Sequence, residues 1–149
     1  MLLTLPQNLI KYLSVIALTT IPVTTMALQI TGSLGETLES VDVYSFACPS
    51  GTVQARIRVI DLNTIFNSAA VVYASFGKDS NPTLTVFDSE STSTSSAWIA
   101  NTSDGSGTYG LVVRKTATNS EDYGIEAQCL DSTQTTVIGP KRIIRQINQ

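Results

Sequence analysis

Val53-Gln54-Ala55-Arg56-Ile57-Arg58-Val59 is the stretch whose reading decides the fold. Val53, Ala55, Ile57 and Val59 take every second position, and Gln54, Arg56 and Arg58 fill the places between. A period of two sends successive side chains to opposite faces of a strand, so this segment reads as a strand with one dry and one wet face. Strands of that kind belong to antiparallel sheets, which cover one face and leave the other to water.

The same alternation recurs on both sides. Upstream, Asp42-Val43-Tyr44-Ser45-Phe46-Ala47-Cys48 places Tyr44, Phe46 and Cys48 on one face and stops at the turn Pro49-Ser50-Gly51. Downstream, residues 69–76 are apolar on both faces and read as a central strand, followed by a turn over residues 77–82. Residues 83–87 and 98–100 make two shorter strands. After the Gly- and Ser-rich turn of residues 101–108 comes Tyr109-Gly110-Leu111-Val112-Val113-Arg114. The last alternating run puts Tyr123, Ile125, Ala127 and Cys129 on one face. Residues 89–96, almost all Ser and Thr, read as an exposed loop, with O-glycosylation as the alternative. Short strands separated by turn signals predict an all-β fold, a jelly-roll-like antiparallel β-sandwich. At 149 residues there is room for one such domain.

The first 27 residues read differently. Lys11 precedes an uncharged apolar run, and Thr25-Met26-Ala27 offers small residues at −3 and −1. This is the pattern of a signal-peptide helix cleaved after Ala27. The alternative is a retained anchor, for which the run is short and rich in Thr. Both readings export the domain, to the periplasm or the extracellular space, and cleavage leaves no stable membrane span. Export makes a disulfide the expected state of the only two cysteines, Cys48 and Cys129. Free thiols and a metal site are the alternatives. Both cysteines fall on the apolar rows of their strands, where a bridge can form.

Residues 28–136 are thus expected to be the sandwich and residues 137–149 a basic tail. The tail holds Lys141, Arg142 and Arg145 and no acid. Ile143, Ile144 and Ile147 have helical spacing, but nine residues make a marginal helix, so a frayed end or a further strand is the preferred reading.

Composition narrows the chemistry. The chain has no His, which removes the usual neutral-pH general base and the commonest transition-metal ligand. Its net charge is −3, and loss of Lys11 with the leader makes it about −4, which argues against nucleic acid. No Ser-x-x-Lys or Gly-x-Ser-x-Gly motif occurs. The acid pairs Glu121-Asp122 and Asp88 with Glu90 read as solvated loop charges rather than a glycosidase dyad. The protein is expected not to be an enzyme and to need no cofactor. Calcium is the one ion weighed, on Asp61, Asn63, Asp79 and Asp104, all in turns. Asp and Asn also favour turns for local hydrogen bonding. Trp98, Arg56 and Arg58 are the candidate ligand-binding residues, the tyrosines Tyr44, Tyr109 and Tyr123 being in phase with the core.

Asp42-x-Tyr44-x-Phe46 with its Pro-Ser-Gly turn, Gly107-Thr108-Tyr109-Gly110-Leu111-Val112-Val113 and Asp122-Tyr123-Gly124-Ile125 resemble the bacterial pre-peptidase C-terminal domain. In that family an Asp-x-Tyr-x-Phe strand opens the domain, and Gly-Thr-Tyr and Asp-Tyr strands close it. The resemblance covers residues 36–130. The chain departs from it in a weak Asp-rich middle segment and in its two cysteines. It implies a non-catalytic jelly-roll-like sandwich of a kind usually appended to secreted hydrolases, some of whose relatives bind polysaccharide, collagen or calcium. This chain is read as the domain standing alone.

Two functions are therefore expected of it. The first is a structural subunit of an extracellular filament, sheath or matrix, self-associating through Leu28 and Ile30 at one end and Ile143, Ile144 and Ile147 at the other. The second is a secreted binding module for a glycan, a matrix protein or a cell-surface partner.

Overall fold

A computed structural model describes residues 27–62, 70–79, 81–88, 94–140 and 143–148, the last span as backbone only. The expected signal-peptide helix (up to residue 26), Asn63 and most of the Ser/Thr-rich loop lie outside the described residues. Ten strands form: β1 (Leu28–Leu34), β2 (Val41–Cys48), β3 (Gln54–Asp61), β4 (Val72–Lys78), β5 (Leu84–Asp88), β6 (Ile99–Asn101), β7 (Gly107–Lys115), β8 (Glu121–Leu130), β9 (Val137–Gly139) and β10 (Ile143–Asn148). No helix occurs among the described residues.

The strands make two antiparallel sheets. One runs β1-β8-β3-β6, with β9 also on β8, and the other runs β10-β2-β7-β4-β5. First pairs with eighth, second with seventh, third with sixth and fourth with fifth, which is a long hairpin rolled over on itself. That is the winding of a jelly roll, so the expected fold class is observed.

Between the sheets lie the inward rows. Tyr44 and Phe46 of β2, Ile57 and Val59 of β3, Leu111 of β7 and Ile125 of β8 are all buried. Tyr109 stacks on Phe46 at 5.4 Å between ring centroids and meets Phe76 at 6.1 Å. Its hydroxyl donates to the Gly105 carbonyl at 2.6 Å, so the ring lies in the core and its polar tip is satisfied at the rim. Cys48 and Cys129 are bridged, with Cα atoms 5.6 Å apart. One belongs to β2 and the other to β8, so the bond ties the two sheets face to face.

Local chemistry ends the strands. Pro49 stops β2, and the Thr52 side chain caps the turn by donating to the Pro49 carbonyl at 2.7 Å. Gly51 supplies the positive φ of 90° that this turn needs.

Two expected boundaries move. Of the apolar run of residues 69–76, the part from Val72 onward forms β4, which extends to Lys78 because its ladder with β7 continues to Lys78 opposite Tyr109. Hydrogen-bond partners, not hydrophobicity, set its end. Gly77 belongs to the strand, and a Cβ there would sit 1.9 Å from the Asn81 carbonyl oxygen of the returning chain. The tail takes its strand form: β9 pairs with β8, and β10 lies along β2 with Ile144 opposite Ser45. A ladder on β2 satisfies backbone groups that a nine-residue helix alone could not hold. The sheets therefore reach past residue 136.

Candidate functional site

The wet row of β3 that opened the sequence reading meets the wet row of β8. Arg56 stands opposite Gln128, Arg58 opposite Glu126 and Ile60 opposite Gly124. Arg56 donates to Gln128 Oε1 from Nε at 2.8 Å and from Nη2 at 2.5 Å. Arg58 Nε donates to Glu126 Oε2 at 2.5 Å, and Nη2 closes the ion pair. From the next strand, Gln29 Nε2 donates to Glu126 Oε1 at 3.0 Å. Each bond joins residues already level across the sheet, so the register of β1, β8 and β3 builds the row.

Trp98 completes it. β6 pairs Ile99 with Ile57 and Ala100 with Arg56, so the preceding residue falls beside Arg58. The Arg56 and Arg58 guanidinium carbons lie over its ring, 4.5 and 4.7 Å from the centroid. The three residues singled out for ligand binding thus form one cluster. Cation–π contacts of this kind contribute about 0.5–2 kcal/mol each and hold flexible arginines in place. Glu126 neutralises Arg58, whereas Arg56 is hydrogen-bonded to a neutral amide. The cluster keeps one positive charge on an otherwise acidic protein. Burial, with Arg58 adding to it, pulls the Arg56 guanidinium below its ordinary value, though an arginine stays protonated at neutral pH. The indole is not a bare stacking platform, because cations already occupy it. What the cluster offers is a set of planar donors and acceptors in fixed positions.

Beside it runs a groove of about 200 Å³. Gly124 forms its floor, since the middle strand carries no side chain there. Gln29, Thr31, Arg58 and Glu126 make a polar rim, and Ile60 and Leu62 an apolar wall. Leu62 is one of the few large apolar side chains left exposed among the described residues, at 39%. The groove is smaller than the ~300 Å³ at which drug-sized pockets begin, so it accommodates one ring or one side chain.

The residues weighed for calcium are not gathered. Asp61 ends β3 at one end of the sandwich; Asp79 and Asp104 lie at the other, where both bear on Tyr109. Asp104 is engaged locally: its carboxylate accepts from Asn101 Nδ2 at 2.6 Å, and its backbone N–H donates to Asn101 Oδ1 at 3.1 Å. Among the described residues no three His, Cys, Asp or Glu side chains converge as a metal set. Of the residues weighed for assembly, Leu28 and Ile30 lie on β1, paired with β8, and Ile143, Ile144 and Ile147 lie on β10, paired with β2.

A buried polar cluster escaped the sequence reading. Asp42 and Tyr123 are fully enclosed, and the Tyr123 hydroxyl donates to Asp42 Oδ2 while meeting the Tyr44 hydroxyl at 2.5 Å. Burial first, then the hydrogen bonds to Asp42 and Tyr44, push the Tyr123 phenol far above its ordinary value. The signal was present: Asp42 shares its parity with Tyr44 and Phe46, so a carboxylate stood on a dry row. Nearby, Lys115 is 2% exposed, and its Nζ donates to the carbonyls of Gly35 and Asn119.

Fold and face together define the class: a disulfide-tied jelly-roll sandwich with a prearranged polar and aromatic face. No family model and no curated protein matches the chain.

Proposed function

We propose that this is an exported, non-catalytic binding module whose recognition face is the outer surface of the β1-β8-β3-β6 sheet. One observation carries the reading: Trp98, Arg56 and Arg58 come together there with Gln29, Glu126 and Gln128 in a single bonded row. Side chains already held by partners lose little further freedom when a ligand arrives, which is how a prearranged surface gains affinity. The leader and the disulfide support export. The jelly-roll winding is the fold that the resemblance to the pre-peptidase C-terminal domain implies. Partners in keeping with this face are a glycan, a matrix protein or a cell-surface protein.

The test is capture on a glycan array and on matrix and cell-surface material, by the full chain and by Trp98→Ala and Arg56→Ala. Both substitutions lie on the wet face and should leave the sandwich folded. Binding should weaken at least about tenfold in each. Binding by the wild type that neither change affects would remove this face from the function.

The second reading, a subunit of a filament, sheath or matrix, is favoured by the position of the chain-terminal strands. β1 and β10 each form the edge of a different sheet.

A further inference from the structure

β1 is held from one side only. It is the first described strand and lies at an edge, and its ladder partner is β8 alone, with Leu28 meeting Ala127 and Leu34 meeting Glu121. Only the ladder of β10 on β2 joins residues as distant in the chain. A contact that closes so long a loop is entropically among the last to be rewarded during folding. Until it closes, one edge of β8 is open, and any copy of β1 can take it.

What β1 brings to that edge is specific. Its inward row is Leu28, Ile30, Gly32 and Leu34, with Ile30 and Leu34 buried in the core. Gly32 is required: a Cβ there would lie 2.3 Å from the Tyr123 hydroxyl. The row is therefore keyed in register, two hydrophobic plugs on either side of the gap that admits Tyr123. At its far end the Lys115 ammonium holds the Gly35 carbonyl. Every one of these contacts is local to β1 and its seat, so β1 of a second copy would make the same ones. Only the hinge of residues 36–40 would change its path. That hinge reverses the chain between the two sheets in a tight turn, Ser40 N–H donating to the Thr37 carbonyl at 3.2 Å, and short reversing hinges favour exchange.

We propose that β1 is exchanged between copies of this chain, each molecule lending its first strand to the β8 edge of the next. Lending and receiving use different surfaces, so the contact is head-to-tail and builds either a closed ring or an open filament. The exchange also makes the recognition face composite. Gln29 and Thr31 stand on the outward row of β1 and rim the groove whose other side is Arg58 and Glu126. After exchange, one copy supplies Gln29 to the Glu126 of another.

Two full-length variants, Gln29→Cys and Glu126→Cys, test this when unfolded together, refolded as a mixture at high concentration and oxidised. The two positions are directly opposed on β1 and β8, at a spacing that a disulfide spans. A covalent heterodimer in clear excess over the two homodimers is the expected product, because only β1 of one chain on β8 of the other opposes positions 29 and 126, whereas a statistical mixture of homo- and heterodimers reports collision alone and counts against the exchange. The double variant Gln29→Cys/Glu126→Cys should then give a ladder of covalent multimers. A mixture that stays monomeric while the double variant forms only an internal bridge would overturn the exchange, as would the absence of any cross-link in either. None of these outcomes bears on the binding reading, which stands or falls on Trp98→Ala and Arg56→Ala.

Discussion

Gly32 and Tyr123 show how tightly single residues are specified. The Tyr123 phenol reaches Asp42 only because β1 carries no side chain above it, the Tyr123 ring carbon Cζ lying 2.5 Å from where a Cβ at Gly32 would be. Gly32→Ala should therefore cost about 1–3 kcal/mol, measured by urea unfolding, because a buried ring with two hydrogen-bonded neighbours cannot move aside. Wild-type stability in Gly32→Ala would show that β1 does not lie on Tyr123 as described. Nothing in the sequence marks this glycine, because its reason lies in a side chain from a strand nearly the whole domain away. Arg56 and Arg58 were legible as wet-face residues, whereas Trp98 is half-buried beneath them and the exposed aromatic among the described residues is Phe87. The meeting of the three was not legible, since it depends on β6 lying beside β3 rather than on any spacing along the chain.

Among the strands, parity was readable and partners were not. The alternation in β2, β3 and β8 placed Tyr44, Ile57 and Ile125 inside from sequence alone, because a period of two leaves one choice once a face is dry. The same parity put both cysteines on inward rows. It could not say that β2 and β8 belong to opposite sheets, which is what makes the bridge a staple between layers 81 residues apart in the chain. Replacing both, Cys48→Ala with Cys129→Ala, should lower unfolding free energy by about 2–5 kcal/mol while far-ultraviolet dichroism keeps its strand signature. An unchanged denaturation midpoint would mean the sheets hold without the bond. The loop ends show a different kind of tie. Lys115, the last residue of β7, fastens the start of the β1–β2 hinge to the β7–β8 turn, where Asn119 N–H also donates to the Glu36 carbonyl at 3.0 Å. Burial lowers the Lys115 ammonium's affinity for its proton, with Glu121 and Glu36 opposing the shift.

The molecule as a whole should respond to alkali through its core tyrosines. Burial, helped by Asp104 and Asp79, pushes Tyr109 up to about 12 from an ordinary 10.0, and Tyr123 is raised further. In that window the folded state holds phenol protons that the unfolded chain has lost, so stability falls as pH rises. Lys115 acts in the opposite sense below its ordinary 10.5, because raising the pH relieves the cost of its buried charge. The net loss should thus steepen above that value, amounting to on the order of 2 kcal/mol by pH 12 from Tyr109 alone. Thermal melts with tyrosinate absorbance across about pH 8 to 12 will show it, and a melting temperature flat over that range would contradict the burial of both phenols.

The sequence by itself determined the class of fold, which rows are dry, the pairing of the two cysteines and the absence of imidazole chemistry. All of these follow from local periodicity or composition. Tertiary structure alone decided which strand neighbours which, and with it the row from Gln29 through Glu126 and Arg58 to Trp98, the groove over Gly124 and the seat of β1. The physical reason is that a strand's alternation fixes the direction of its side chains, while its edges accept any partner with free N–H and C=O groups. Val53 to Val59 announced a wet face carrying Arg56 and Arg58. Only the closing of the jelly roll around β3 determined what that face would hold.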